Sequence, residues 1–315
     1  MQASPKSKNI GIYLLLLLVP LFWGGSFAAT KHVVTEIPPI TAATIRFGLA
    51  SLILLILVTF RFEWNLKLLK KHWIGLLVMA MTGIFLYNVF FFIGLKYTSA
   101  INGSLIMSTS PAFITLGAVL LLNESWSKKL GYGLVLAFIG VVIVILKGSI
   151  QTLLSLSFNT GDLLFLCGLI CWVTQSLVGK VVMKEVSPVL TTTVTMLIGS
   201  LMLTIWSLFE GGWVYVPGLS IQSWIELMYM SILATVIGFF IWNKGISVIG
   251  ASKSGLYMSF VPIHASWSTV LFYGETFTWP QLVGIAFVIL GVYISTANKT
   301  KRKNISNLID SKPIV

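Results

Sequence analysis

The sequence predicts an all-α polytopic membrane protein: ten transmembrane helices in two inverted five-helix repeats, with both termini cytoplasmic. Three observations predict it. The 315 residues are 57% hydrophobic and only 10% charged, with a mean hydropathy of +0.94, whereas a soluble domain carries about a quarter charged residues. Ten apolar segments have the length a bilayer requires. The second half of the chain repeats the first at an offset of 149 to 151 residues.

A single soluble core stops growing near roughly 250–300 residues, so this much apolar surface has nowhere to hide from water. The composition excludes a soluble enzyme, a disordered chain and a secreted disulfide scaffold. The formal charge of +12 would suggest nucleic acid on a soluble protein. Here the charge sits mostly in connectors, so nucleic acid is not expected as a partner.

A span needs about 20 mostly apolar residues. Reading along the chain, the spans are 10–31, 38–60, 73–95, 99–122, 130–147, 161–183, 188–208, 221–242, 251–273 and 279–297. In the first, Lys6 and Lys8 precede Leu14 to Leu18, and Ser26-Phe27-Ala28 resembles a signal cleavage site. It is kept as a span because a later segment repeats it. The second holds Arg46 and the fourth Pro111. The fifth carries Gly133 and Gly140, which share a helix face, as Gly284 and Gly291 do in the tenth; small residues let helix backbones approach closely. The sixth holds the only two cysteines, Cys167 and Cys171, read as small packed side chains. The ninth holds Pro262 and His264. The connectors 61–72, 148–160 and 209–220 and the tail from Asn298 are too short for a soluble domain.

Lys and Arg set the orientation. With the N-terminus cytoplasmic, seventeen of the 21 fall on the inner side and three (Lys31, Lys96, Lys147) on the outer side; Arg46 lies within a span.

At an offset of 151, Gly94 meets Gly245, Ala100 meets Ala251, Met107-Ser108 meets Met258-Ser259, Pro111 meets Pro262 and Glu124 meets Glu275. From 94 to 143 there are 13 identities in 50 positions, and upstream Trp73 meets Trp224. Further upstream the offset is 149, where Trp23 meets Trp172, Pro39 meets Pro188 and Ser51 meets Ser200. The repeats are 1–150 and 151–315, the second with a basic tail. Five spans per half is an odd number, so the second copy inserts upside down. Inverted repeats are a recurring plan of secondary transporters.

Four stretches carry a resemblance: Phe22-Trp23-Gly24-Gly25-Ser26-Phe27; Pro38-Pro39 followed by Arg46-Phe47; Ala100 through Pro111 to Glu124; and its copy, Ala251 through Pro262 to Glu275. The chain resembles the drug/metabolite transporter superfamily, and within it the EamA-type ten-helix members. The resemblance implies a carrier of small metabolites or drugs, often outward, and names no substrate. Arg46 breaks the symmetry, because its counterpart is Thr195.

Several intramembrane residues are candidates. Proline removes a backbone hydrogen bond and kinks a helix, so Pro111 and Pro262 either shape a central cavity or make packing kinks; their matched depth favours the cavity. Glu124 and Glu275 either pair with rim lysines as gates or sit ahead of helix N-termini, where the dipole favours an acid. An arginine within a span costs roughly 2.5–3.5 kcal/mol on insertion scales. Arg46 therefore faces the bundle, to bind an anionic group or to satisfy freed carbonyls. Trp23, Tyr87, Asn88, Asn102, Trp172, Gln175, Trp242, Asn243, Tyr257 and His264 are candidate substrate contacts, since aromatics with a few amides suit a small amphipathic ligand. His264 either titrates in proton coupling or packs neutral. None of the nine acids sits at mid-membrane, which demotes cationic drugs as substrates.

The function expected is a secondary transporter moving a small neutral or zwitterionic metabolite, such as an amino acid, outward by alternating access. The alternatives are an organic-anion or sugar-phosphate carrier, a membrane-embedded enzyme and a passive channel. An enzyme would want a polar constellation, and His32, His72 and His264 form no cluster in the sequence. No phosphate-binding glycine loop is present, so ATP is not the driver. No cofactor and no metal are expected. The expected partners are a small-molecule substrate and the lipid bilayer, with a homodimer left open. The setting is a cell membrane, the bacterial inner membrane first.

Overall fold

The computed structural model describes residues 5–61, 64–122, 126–146, 159–249, 254, 256–274, 276 and 278–296. Every regular element among them is helical. In lipid the backbone must satisfy its own hydrogen bonds, which leaves an apolar chain few other choices. The helices are α1 (Pro5–Leu16), α2 (Leu18–Glu36), α3 (Pro39–Arg61), α4 (Leu66–Lys71), α5 (Trp73–Met79), α6 (Tyr87–Tyr97), α7 (Ala100–Ser108) and α8 (Ser110–Leu121). They continue with α9 (Lys128–Ile145), α10 (Thr160–Val182), α11 (Pro188–Glu210), α12 (Ile221–Tyr229), α13 (Gly238–Ile249), α14 (Val261–Tyr273) and α15 (Trp279–Thr296).

Among the described residues, seven helical stretches are long and apolar enough to cross a membrane: Gly11–Glu36, Pro39–Phe60, Trp73–Tyr97, Ala100–Leu121, Thr160–Val182, Pro188–Glu210 and Ile221–Gly245. Two shorter apolar helices are Gly131–Ile143 and Trp279–Ile294. In the expected segment 251–273, a 3-10 turn, Leu256–Phe260, leads into α14, while residues 251–253 and 255 lie outside the described residues. Large apolar side chains such as Phe60, Leu121 and Phe209 point outward, a surface suited to hydrocarbon and not to water.

Local chemistry fixes the helix ends. The side chains of Ser99, Asn159, Ser187 and Ser220 accept hydrogen bonds from backbone N–H groups two or three residues on, the usual N-cap arrangement. Gly211, with φ of 71°, ends α11 in the left-handed conformation. Both expected prolines stand in the first turn of a helix. Pro111 opens α8 after α7 ends at Ser108, and Pro262 opens α14 after the 3-10 turn. Two π-helical stretches, Ala80–Leu86 and Met230–Ile237, lie within the third and eighth expected spans, at positions the sequence repeat matches.

Small residues set the tightest packing. A Cβ added to Gly291 would lie 2.5 Å from the Ala137 nitrogen and 2.6 Å from the Gly133 carbonyl oxygen. One added to Gly140 would lie 3.0 Å from the Gly284 carbonyl oxygen. Thus α9 and α15 meet almost backbone to backbone, each glycine facing the counterpart of its partner's. α3 and α11 meet at Ser51 and Ser200, whose hydroxyls are 3.2 Å apart. At Gly24 an added Cβ would lie 2.5 Å from the His264 Cβ and 2.8 Å from the Ala265 nitrogen, so α2 lies tight against α14.

The two ends of the bundle differ in charge. One end gathers carboxylates. Glu36 accepts from the Ser220 N–H and hydroxyl at 2.9 and 2.7 Å. Glu210 accepts from the Ile40 and Thr41 N–H groups at 3.0 and 2.7 Å, where the α3 dipole favours an anion. Glu226 takes bonds from Gln222 and Tyr273 and lies 2.8 Å from His32 Nδ1. At the other end, Lys71 donates to Glu185 at 2.6 Å and His72 Nε2 lies 3.2 Å from the same carboxylate. The Lys71 ammonium, followed by His72, holds the Glu185 carboxyl below its ordinary 4.5. These are called the acidic end and the basic end below.

Candidate functional site

Arg46 projects from α3 into the middle of the bundle and is 5% exposed. Its Nε donates to Thr235 Oγ1 at 3.0 Å, and its Nη1 lies 3.9 Å from the Met230 sulfur. The guanidinium sits over the Phe47 ring at 4.9 Å and near Phe92 at 6.0 Å. Thr235 and Met230 both belong to the π-helical stretch Met230–Ile237, and the Thr235 hydroxyl bonds back to the Met230 carbonyl. The wider π turn thus brings both Arg46 partners to one spot. π-bulges recur at functional sites.

Beside Arg46 is a cavity of about 30 Å³, lined among others by Trp23, Ser26, Tyr87, Asn88, Phe91, Met107, Trp172, Phe239 and Met258. One water needs roughly 10–15 Å³ on this measure, so the space holds about two waters and not a metabolite. Its walls are mostly aromatic. Trp23 meets Trp172 edge to face at 5.6 Å and packs on Phe239 and Trp242 at 5.4 Å each. Tyr87 packs on Trp172 at 5.2 Å. Trp23 Nε1 donates to the Ala234 carbonyl at 2.8 Å. The buried Trp172 Nε1 has no hydrogen-bond partner among the described residues. Asn88 gives its amide N–H to Ile84 O at 2.7 Å, which leaves its carbonyl oxygen to accept.

The expected contacts divide by location. Trp23, Arg46, Tyr87, Asn88 and Trp172 line the cavity. Trp242 stands behind Trp23. Gln175 lies against Gly83 at the first π-helical stretch. Tyr257 packs on the core next to Met258. His264 accepts from Trp267 Nε1 at 3.1 Å. Asn102 is at the acidic end, where its carbonyl accepts from Gln281 Nε2 at 2.9 Å. Asn243 belongs to a second cavity, of about 290 Å³, at the basic end. Pro111 and Pro262 each follow by four residues a methionine of the wall, Met107 or Met258. Glu124 and Glu275 lie outside the described residues.

Some wall residues escaped the candidate list although the sequence marked them. Ser26, Phe27 and Phe47 stand in the stretches that carry the resemblance, and Met107 and Met258 are repeat partners. Thr235 and Met230 left no mark, because nothing in their spacing announces a π turn.

The chain matches the EamA-like transporter family over residues 10–146 and again over 159–297. It is 37% identical over 285 residues to an uncharacterized transporter of Bacillus subtilis (strain 168), YyaM, covering 90% of this chain and 93% of that one. It is 29% identical over 294 residues to an uncharacterized transporter of Archaeoglobus fulgidus, covering 92% and 99%. A crystal structure of a protein 17% identical in sequence superposes with a TM-score of 0.65, covering 91% of this chain and 98% of that one. This last likeness speaks to the fold alone.

Proposed function

This chain belongs to the EamA-like transporter family, a multi-pass membrane transporter, and from that premise we propose that it is a secondary carrier of a small zwitterionic or neutral metabolite that bears a carboxylate, such as an amino acid. One observation carries this reading. A buried guanidinium with no charged partner among the described residues shares a chamber with an indole N–H that lacks an acceptor. Two donors on residues that line one apolar chamber call for an acceptor that carries negative charge. A carboxylate meets both, since arginine binds it in a fork. The Asn88 carbonyl and the aromatic faces suit an ammonium group.

The carrier works by alternating access between 1–150 and 151–315, read as two inverted repeats of five spans each. Reciprocal contacts between repeat-equivalent residues support that reading: Trp23 with Trp172, Ser51 with Ser200, and the paired glycines of α9 and α15. The two separate family matches support it as well. The lysine and arginine bias makes the basic end cytoplasmic. Transport is outward, across a bacterial inner membrane. A chamber of about 30 Å³ has to widen to take up a metabolite, so its walls part on uptake.

Counterflow in proteoliposomes tests this reading. Amino acids, phosphate esters and cationic dyes are offered, with and without a pH gradient. Saturable counterflow of amino acids is expected. Counterflow of phosphate esters alone makes the protein an anion carrier, a reading Arg46 also favours. No movement of any class from folded protein overturns the carrier.

A further inference from the structure

The nitrogens of the Arg46 guanidinium are held unequally. Nε donates to Thr235 Oγ1 at 3.0 Å. Nη1 reaches only the Met230 sulfur, at 3.9 Å. A thioether is a weak acceptor, and this one already takes the Thr30 hydroxyl at 3.0 Å. Among the described residues Nη2 has no hydrogen-bond partner. The Thr235 hydroxyl gives its one proton to the Met230 carbonyl at 2.8 Å, five residues back. That spacing belongs to the π turn; Thr44, Thr193 and Thr204, in α-helical stretches, bond four residues back. With its proton spent, the Thr235 oxygen can only accept, so it presents its lone pairs to Arg46 Nε.

The sequence repeat supplies a comparison within the molecule. Met79 matches Met230 and Ile84 matches Thr235 at an offset of 151, and Thr195 matches Arg46 at 149. Each half has its π-helical stretch and its methionine, but the arginine and the hydroxyl occur together in one half only. Where the arginine is absent, Thr195 bonds within its own helix, to the Thr191 carbonyl at 2.8 Å. Ile84 there packs on α11, so that a Cβ added to Gly199 would lie 2.4 Å from the Ile84 Cβ. The π turn therefore forms with an isoleucine at this position and has no need of the hydroxyl. The arginine has.

We propose that Thr235 is a positioning residue for substrate binding: it pins Nε of Arg46 and so leaves the two Nη groups to take the carboxylate of the solute end on. The inference rests on the carrier reading above. An arginine free to turn loses that freedom when it binds, whereas one pinned beforehand has less to lose, which favours affinity. The Phe47 and Phe92 rings, 4.9 and 6.0 Å from the guanidinium, limit its remaining movement. The contact between Nη1 and the Met230 sulfur is weak enough for a carboxylate to displace.

Equilibrium binding to purified full-length protein tests it. The probes are the amino acids of the counterflow assay, with acetate as the bare carboxylate. Thr235→Val and Thr235→Ala both remove the hydroxyl, so a folding failure in one leaves the other. Either is expected to weaken binding about 5- to 10-fold, for the loss of one hydrogen bond, and Thr235→Ser to restore it to within about twofold. In an Arg46→Gln background the same two substitutions are expected to change affinity by less than about twofold, because nothing is left to position. A purely structural role would cost as much there as in the wild type. Wild-type affinity without the hydroxyl, no rescue by serine, or an undiminished loss in the Arg46→Gln background overturns the positioning role. If Arg46→Gln itself weakens binding, the carrier site outlives that result. Wild-type affinity in Arg46→Gln, or no binding of any probe, overturns the site reading and this inference with it.

Discussion

Trp23 and Trp172 stand 149 residues apart in sequence and meet edge to face, with ring centroids 5.6 Å apart. The sequence repeat makes them equivalent, yet their indole N–H groups have different fates. That of Trp23 is spent on the Ala234 carbonyl, and that of Trp172 has no partner among the described residues. Trp23 therefore ties two helices together, while Trp172, a residue of the chamber wall, has a donor with no acceptor among the described residues.

Trp172→Phe is expected to raise the KM for a carboxylate solute about 5- to 10-fold, the worth of one hydrogen bond, with an unchanged melting temperature. Trp23→Phe is expected to lower the melting temperature instead. Counterflow kinetics and thermal unfolding in detergent separate the two.

Arg46→Gln is expected to lower affinity for a carboxylate solute about 10- to 100-fold, the loss of a charge-assisted bond. Arg46→Lys keeps the charge but loses the fork and the bond to Thr235, so it recovers only part of the affinity. Binding of the solute to purified protein is the measurement. Wild-type affinity in Arg46→Gln removes the guanidinium from the site.

Gly24→Ala and Gly48→Ala are expected to act oppositely. A Cβ at Gly24 meets backbone atoms of α14 that cannot swing aside, and overpacking of this kind costs about 1–3 kcal/mol. A Cβ at Gly48 meets nothing within 4 Å, and alanine within a helix gains about 0.5–1 kcal/mol over glycine. Thermal unfolding of the two variants checks both signs.

Glu226 joins α2, α12 and α14 through His32, Gln222 and Tyr273. Glu226→Gln is expected to cost about 1–2 kcal/mol in stability. Combined with His32→Gln, it is expected to show a coupling energy above about 0.5 kcal/mol in a double-mutant cycle. Additive losses mean that the pair contributes nothing of its own.

Glu185 ties the start of the third span to the connector before the seventh at the basic end. Its carboxyl is held below the ordinary 4.5 by Lys71 and then His72. A lowered folded value stabilises the fold fully above about pH 4.5, and that contribution is lost as pH falls through the folded value. The carboxylate is 45% exposed, so the effect is small. Wild-type protein is expected to lose more stability than Glu185→Gln when acidified from pH 6 to pH 3, read by thermal unfolding.

Much of this was legible in the sequence, for reasons that differ by residue. Long apolar runs have one solution in lipid, so the helices at Pro39–Phe60 and Pro188–Glu210 follow from hydropathy alone. Proline, glycine, tryptophan and glutamate are scarce enough that their matched positions expose the repeat. Trp23, Arg46, Tyr87, Asn88 and Trp172 were named as candidate contacts because a polar or amphipathic side chain in a span needs a reason. Asn102 and Asn243 met the same criterion yet stand at opposite ends of the bundle, because hydropathy fixes how deep a residue can go and not what it faces.

Sequence alone therefore determined the helical class, the family likeness and the arginine that needs a partner, since each rests on composition or on spacing along one chain. Only the tertiary structure decided that Thr235 and Met230 hold that arginine, that the Trp172 donor has no acceptor among the described residues, and that the basic end holds a second cavity. Those facts depend on contacts between residues far apart in sequence. A π turn, a rotamer or a filled space leaves no period in the chain that a reader could count.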